Sequence, residues 1–360
     1  MKSVNSEELI NIIKRFDLPD DIYSVSCPEG GHINNTFKLS FPEGNYILQR
    51  INTEVFKRPV ELTANIVKVT DHLRKVISEN GGNPGRETLT PVLTKDNKAY
   101  TVDDDGCYWR CFLFIDDTVC YLEKVEPAFF KKCGLAFGRF QSQLSDLSAD
   151  EIYETIPDFH NTYKRMLQFN ASVERDAAGR ADEIREEIEA LMSRSFYADL
   201  YKKLTDNNEI PVRITHNDAK LSNILFDKET NEPLCIIDFD TIMPGLSIYD
   251  FGDSIRTGAC SSLEDEPDTD KVHFLPEQYK AYEEGFIEGS AGRLTAREHE
   301  LLPYGAMMIT YEQALRFLAD YLDGDVYYHI DRPSHNLDRT RVQIKLLSEM
   351  EDYFGVSVNK

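Results

Sequence analysis

The chain has 360 residues, 41% of them hydrophobic and 11% aromatic, with 63 Asp and Glu against 40 Lys and Arg for a formal charge of −23. That length supports a large core and two lobes or domains, and the charge excludes nucleic acid and anionic membrane as main partners. No run approaches the roughly eighteen apolar residues of a membrane span, and the opening Met1-Lys-Ser-Val-Asn-Ser-Glu-Glu lacks the apolar centre of a secretion signal, so a cytoplasmic protein is expected; a monomer is assumed, since nothing in the sequence sets oligomeric state.

Residues 1–18 read as a short helix, with Ser6 as N-cap before Glu7 and Glu8 and a stop near Pro19. Strand patterns follow at 23–27, 36–41 and 46–51, separated by turns at Gly30-Gly31 and Glu43-Gly44-Asn45. Residues 59–80 carry a helical period in Val60, Ala64, Val67, Leu73, Val76 and Ile77, and Gly81-Gly82 ends it. Strands are expected at 91–94, 98–102 and 108–115. This order predicts a small antiparallel sheet with one helix against it.

Beyond Ile115 the texture changes, and we place a division there, into 1–115 and 116–360. Residues 126–147 are helical in pattern, and 150–208 are charged and helical, most clearly at 180–192. Residues 212–241 hold two short strand–loop units. Helices follow at about 277–288, 296–322 and 337–352. The fold class is therefore α+β. The seven cysteines (Cys27, Cys107, Cys111, Cys120, Cys133, Cys235 and Cys260) are odd in number and form no C-x-x-C, so neither a disulfide framework nor a zinc site is expected. Cys107 and Cys111 read as buried strand residues in a reducing compartment.

The chemistry lies in Ile214-Thr-His216-Asn217-Asp218-Ala-Lys220-Leu-Ser-Asn223, followed by Leu234-Cys-Ile-Ile-Asp238-Phe-Asp240-Thr241. An Asp, a Lys two residues on, an Asn five on and a second Asp after an apolar strand form the set that phosphoryl transfer from ATP requires. Asp218 is placed to accept the acceptor's hydroxyl proton, and Lys220 to sit beside the transferred phosphoryl. Asn223 and Asp238 supply the hard oxygens that magnesium takes alongside phosphates and water. Asp250-Phe251-Gly252 spells the magnesium triplet of protein kinases, but it lies 32 residues after Asp218, whereas Asp238 lies 20 after it. Magnesium is therefore assigned to Asp238, and Asp250 to bracing the catalytic loop. Asp240 is left either as a second metal group or as support for the first. The turn Glu29-Gly30-Gly31-His32-Ile33-Asn34 can bring backbone N–H groups against phosphates through Gly30 and Gly31.

At these residues the chain resembles the aminoglycoside phosphotransferase and choline kinase superfamily. Within it the chain is most similar to the N-acetylhexosamine 1-kinases, through G31-H-I-N-N-T36, Y46-I-L-Q-R-I-N52, the 237–256 run, R316-F-L-A-D-Y-L-D-G-D-V-Y-Y328 and H335-N-L-D-R-T-R341. The resemblance implies a bilobal protein-kinase-like fold, ATP and Mg2+ as cofactors, and phosphorylation of the anomeric hydroxyl of GlcNAc or GalNAc. It also implies sugar contacts at His32, Asn34, Thr241, Arg316 and Tyr327, and adenine at the lobe connection near Phe114 and Ile115. Arg316 has a second reading as a helix partner of Glu312, Tyr327 as core, and Thr241 as a turn residue. The chain departs from protein kinases on its third strand. Gln49 stands where a Lys would grip the α- and β-phosphates, and Arg50 points to the opposite face. Glu61 and Asn65 are candidate partners for either side chain. A kinase acting on a cationic acceptor, such as an aminoglycoside or choline, is the alternative. The intact Asp218, Asn223 and Asp238 speak against a silent nucleotide-binding module.

Overall fold

The computed structural model describes residues 6–22, 24–27, 33–122 and 125–358. The predicted turn residues Gly30, Gly31 and His32, and the start of the N-terminal helix, lie outside them. The first elements are α1 (Ser6–Ile13), β1 (Ser24–Ser26), β2 (Asn35–Phe41), β3 (Gly44–Arg50), α2 (Pro59–Glu79), α3 (Pro84–Glu87), β4 (Pro91–Val92), β5 (Thr101–Val102), β6 (Tyr108–Leu113) and β7 (Thr118–Val119). Then come α4 (Pro127–Gln143), α5 (Thr162–Arg175), α6 (Arg185–Met192), α7 (Phe196–Asp206), β8 (Arg213–Thr215), β9 (Ile224–Asp227) and β10 (Pro233–Ile236). The chain closes on α8 (Ser247–Gly258), α9 (Pro276–Gly289), α10 (Ala296–Asp323) and α11 (His335–Phe354). The N-terminal part is an antiparallel sheet and the C-terminal part is helical, which is the α+β kinase-like architecture expected.

The residues group into two compact units. The first comprises Met1–Cys120, Gln143–Pro157 and Ser222–Pro244. Its main sheet runs β1-β2-β3-β6-β4, with β5 also paired to β6. Alternation along the strands puts Leu39, Phe41, Leu48, Trp109 and Cys111 on one face, where Leu9, Ile12 and Ile13 of α1 and Phe16 close a core. The N-terminal helix ends earlier than its period suggests, because Phe16 leaves it to form an antiparallel bridge with Thr94. Gln49 pairs in register with Arg110 across β3 and β6, on the sheet's other face. α2 starts on Pro59, whose missing N–H costs nothing at a helix start, and buries Leu62, Ile66, Val69, Leu73 and Ile77 along one stripe. A smaller antiparallel sheet, β10-β9-β7, completes this unit.

The second unit comprises Tyr121–Ser142, Asp158–Leu221 and Gly245–Lys360. Its axis is the 28-residue α10, opened by a capping box between Thr295 and Glu298. α5, α7, α8 and α11 pack around α10. α8 is amphipathic in sequence, yet every residue from Ser247 to Arg256 is buried, its polar Asp250, Asp253 and Arg256 included. Gly252 is set by packing. A Cβ there would come within 2.5 Å of the Gly305 carbonyl oxygen on α10. All seven cysteines are free thiols. No helix among the described residues is long and apolar enough to cross a membrane.

Candidate active site

In the second unit, β8 leads into the predicted catalytic loop. Asn217 adopts a left-handed backbone (φ 63°), a conformation Asn tolerates better than most residues. The Asp218 carboxylate lies 2.9 Å from Lys220 Nζ, and both side chains stay partly exposed. The backbone on either side is held by buried side chains. The fully buried Asp250 accepts the N–H groups of His216 (2.8 Å) and Asn217 (2.7 Å), and the amide of Gln141 (2.8 Å). Burial pushes the Asp250 carboxyl up, opposed by His216 and by those N–H donors. Asp250 is thus the brace its spacing implied.

His160 lies between two acceptors. Its Nε2 is 2.9 Å from the Asn217 carbonyl and its Nδ1 is 2.9 Å from Glu312 Oε1. A carbonyl and a carboxylate can only accept, so both ring nitrogens carry protons. Burial disfavours that charge, but Glu312 outweighs it and the imidazole is held above its ordinary range. Thr162 Oγ1 donates to the second Glu312 oxygen (2.8 Å), and Ser254 Oγ to the Ala219 carbonyl (2.6 Å). His160 escaped sequence reasoning, and Glu312 entered it only as a helix partner for Arg316. A lone acid inside the apolar run 305–318 was the available signal.

The same unit places the predicted acceptor residues. Glu312 is committed to His160 and Thr162, so Arg316 is not its helix partner. Arg316 Nη1 donates to Gln313 Oε1 (2.9 Å), and its guanidinium stands 5.6 Å from the Phe159 ring and 5.7 Å from the Tyr328 ring. Arg165, unforeseen from sequence, donates to the Phe159 carbonyl (3.0 Å). Burial and the neighbouring Arg316 hold Arg165 below the usual guanidinium range. Their hydrogen-bond partners include the Gln313 and Gln168 amides, the Phe159 carbonyl and the Tyr327 side chain, and neither forms an ion pair with a carboxylate among the described residues.

Tyr327 is 66% exposed, not core. Its loop is set by Asp320, whose Oδ1 accepts the N–H groups of Val326 (2.9 Å) and Tyr327 (2.8 Å) and whose Oδ2 accepts those of Tyr328 and Asn336 Nδ2 (2.9 Å each). Asp320→Ala removes the acceptor for three successive backbone donors. The expected result is an acceptor KM raised about 10-fold or more with the ATP KM unchanged. Steady-state titration of each substrate checks it, and an unchanged acceptor KM sinks it.

In the first unit, Asn223 leads β9 and Asp238 follows β10. The Ile237 N–H donates to the Asn223 carbonyl (2.9 Å), so the two residues lie on adjacent backbone. Asp238 takes a left-handed φ of 65°. One amide and one carboxylate oxygen fit a hard divalent cation that completes its shell with phosphates and water. Asp240 and Thr241 follow in a single helical turn. Asp240 is buried, with Arg110 Nη1 at 2.5 Å and Asn34 Nδ2 at 2.5 Å. Gln49 accepts from Arg110 Nε (3.0 Å) and Nη2 (2.9 Å). The predicted partners lie elsewhere. Glu61 pairs with Arg58 (3.0 Å), Arg50 donates to Asn35 (3.1 Å), and Asn65 donates to the carbonyls of Tyr153 (2.7 Å) and Ile242 (3.1 Å). At the end of β6, the Phe114 N–H donates to the Asn45 carbonyl (2.9 Å), and the Ile115 carbonyl accepts from Thr118 Oγ1 (2.8 Å).

Residues 25–285 match the phosphotransferase enzyme family. Among solved structures, the chain is similar to a microcompartment-associated aminopropanol kinase at 17% identity, covering 98% of both chains with a TM-score of 0.64. It is similar to a spectinomycin phosphotransferase solved with ADP and spectinomycin at 14% identity, covering 97% of this chain and 98% of that one, TM-score 0.59. An amicoumacin kinase solved with AMP-PNP and Ca2+ matches at 14% identity over 95% and 93%, TM-score 0.59.

Proposed function

The chain belongs to the phosphotransferase enzyme family, a kinase family that uses ATP and a divalent metal, and from that premise we propose that it phosphorylates the anomeric hydroxyl of an N-acetylhexosamine, GlcNAc or GalNAc, to the sugar 1-phosphate. Asp218 takes the hydroxyl proton as that oxygen attacks the γ-phosphorus, the bond to the β-phosphate oxygen breaks, and ADP leaves. Lys220 offsets charge on the transferred group while holding Asp218 in place. Asn223 and Asp238 would hold the divalent cation, which when bound would neutralise phosphate charge.

The observation that carries the acceptor is the arginine pair. Arg165 and Arg316 meet at Phe159 with no carboxylate in ion-pair contact among the described residues. The buried Glu312 acts on both electrostatically but is paired with His160, so the cluster keeps a net positive charge. An amine acceptor would be repelled there, whereas the hydroxyl and acetyl oxygens of a sugar accept from guanidinium forks. Tyr327 and Thr241 are further sugar contacts in this reading, with His32, whereas Asn34 is committed to Asp240 and to the Asn52 N–H.

The test is ADP release with ATP and Mg2+ against GlcNAc, GalNAc, glucose, galactose, choline, homoserine and kanamycin, with phosphorus NMR of the product. An anomeric phosphate from an N-acetylhexosamine is expected. Turnover confined to amine acceptors overturns the pocket assignment. Arg316→Ala should raise the sugar KM about 10- to 100-fold, the cost of one charged hydrogen bond, and leave the ATP KM nearly unchanged. Equal rises in both would make Arg316 structural.

A further inference from the structure

Gln49 has a partner that explains it. Arg110 stands directly across the β3–β6 ladder, so a lysine at position 49 would set two cations opposite each other, which destabilises a strand pair. The amide instead accepts two N–H bonds from Arg110 and passes its own N–H to Thr36 Oγ1 (3.2 Å). Arg110 turns its remaining terminal nitrogen onto Asp240. Both side chains of that ion pair are 4% exposed.

Each oxygen of Asp240 is engaged, Oδ1 by Arg110 and Oδ2 by Asn34. Asn34 is pinned in turn, because its Oδ1 accepts the Asn52 N–H (2.9 Å). Two residues before Asp240 lies Asp238, held in its left-handed conformation. Two residues after it, the Ile242 carbonyl accepts from Asn65 on α2. The short turn bearing Asp238 is therefore tied to β6 and to Asn34 at one point and to α2 at another.

We propose that the buried Arg110–Asp240 pair is a positioning device that holds Asp238 in its metal-accepting conformation, and that Asp240 is not itself a metal ligand. The role that a strand lysine and a helix glutamate share in protein kinases is redistributed here, into a pair joining the sheet to the metal-side turn. This rests on the reading of Asp238 as a metal residue.

The test measures Mn2+ binding to the whole chain with AMP-PNP, from the free-Mn2+ signal in electron paramagnetic resonance, beside thermal midpoints. The variants are Arg110→Lys, Arg110→Met, Asp240→Asn and Arg110→Met/Asp240→Asn, with Asp238→Asn as the control. Removing one partner strands a buried charge, so the single variants should lose thermal midpoint and the double variant should regain part of it. Mn2+ affinity should fall about 10- to 100-fold in Arg110→Met, in Asp240→Asn and in the double variant alike. Arg110→Lys keeps the charge and folds, but it cannot reach both Gln49 and Asp240 with one ammonium, and it should bind Mn2+ with intermediate affinity. Loss of Mn2+ binding in Asp240→Asn with full binding in both Arg110 variants would make Asp240 a ligand and overturn the proposal. Unchanged affinity in every Arg110 and Asp240 variant would reduce the pair to a structural ion pair. Full affinity in Asp238→Asn would instead remove the metal assignment beneath it.

Discussion

Asp218→Asn is expected to lower kcat by about 10²- to 10⁴-fold, the usual contribution of a positioned general base. The amide keeps the shape of the carboxylate but cannot take the acceptor's proton. It also loses the ion pair with Lys220 at 2.9 Å. Because both side chains are partly exposed, that loss costs little stability, and the thermal midpoint should move little. Nucleotide binding should also persist, since Asn223 and Asp238, the proposed metal residues, remain. Single-turnover ADP release and AMP-PNP calorimetry separate these effects. Near-full activity would remove Asp218 as the base, whatever the binding data show.

The second large effect is on the brace. Asp250→Ala leaves the N–H groups of His216 and Asn217 and the Gln141 amide without their acceptor in a fully buried site. An orphaned buried donor costs about 1–3 kcal/mol, so the variant should lose at least about 3 kcal/mol by urea or thermal unfolding. The loop that aims Asp218 loosens with it, and a displacement of roughly 1 Å at a reacting group costs about 10²-fold in rate. Mn2+ binding with AMP-PNP should survive. This separates the brace from the protein-kinase reading of the Asp250-Phe251-Gly252 triplet, in which Asp250 would hold the metal. Lost Mn2+ binding in a folded Asp250→Asn protein would restore that reading.

The triplet shows how far spacing alone could be read. The 20-residue interval from Asp218 to Asp238 and the apolar strand between them marked the second aspartate as the metal residue and left Asp250 a structural part. Asp250 lies on α8, where it holds the catalytic loop, and Gly252 answers to the close approach of α10. The short alternating strands were legible because each has one wet face, whereas α2 was legible as a helix but not by its face. Val60 and Ala64 are exposed, and the buried stripe runs through Leu62, Ile66, Val69, Leu73 and Ile77. The amphipathic pattern of α8 was available in the same way, and its polar side is buried at Asp250 and Asp253.

The catalytic loop, the α+β class and the family lie in contiguous residues, since loop chemistry and strand alternation are local properties of the chain. Partnerships across long separations are not. Glu312 reaches His160 over 152 residues, and Asn34 reaches Asp240 over 206. Arg110 meets Gln49 only because β3 and β6 are ladder neighbours. A buried charge must find its counter-charge wherever the fold brings one. The sequence by itself determined which residues are candidates for the phosphoryl-transfer chemistry. Only the tertiary structure decided which buried side chains hold them in place, because that choice depends on which distant segments share one dry interior.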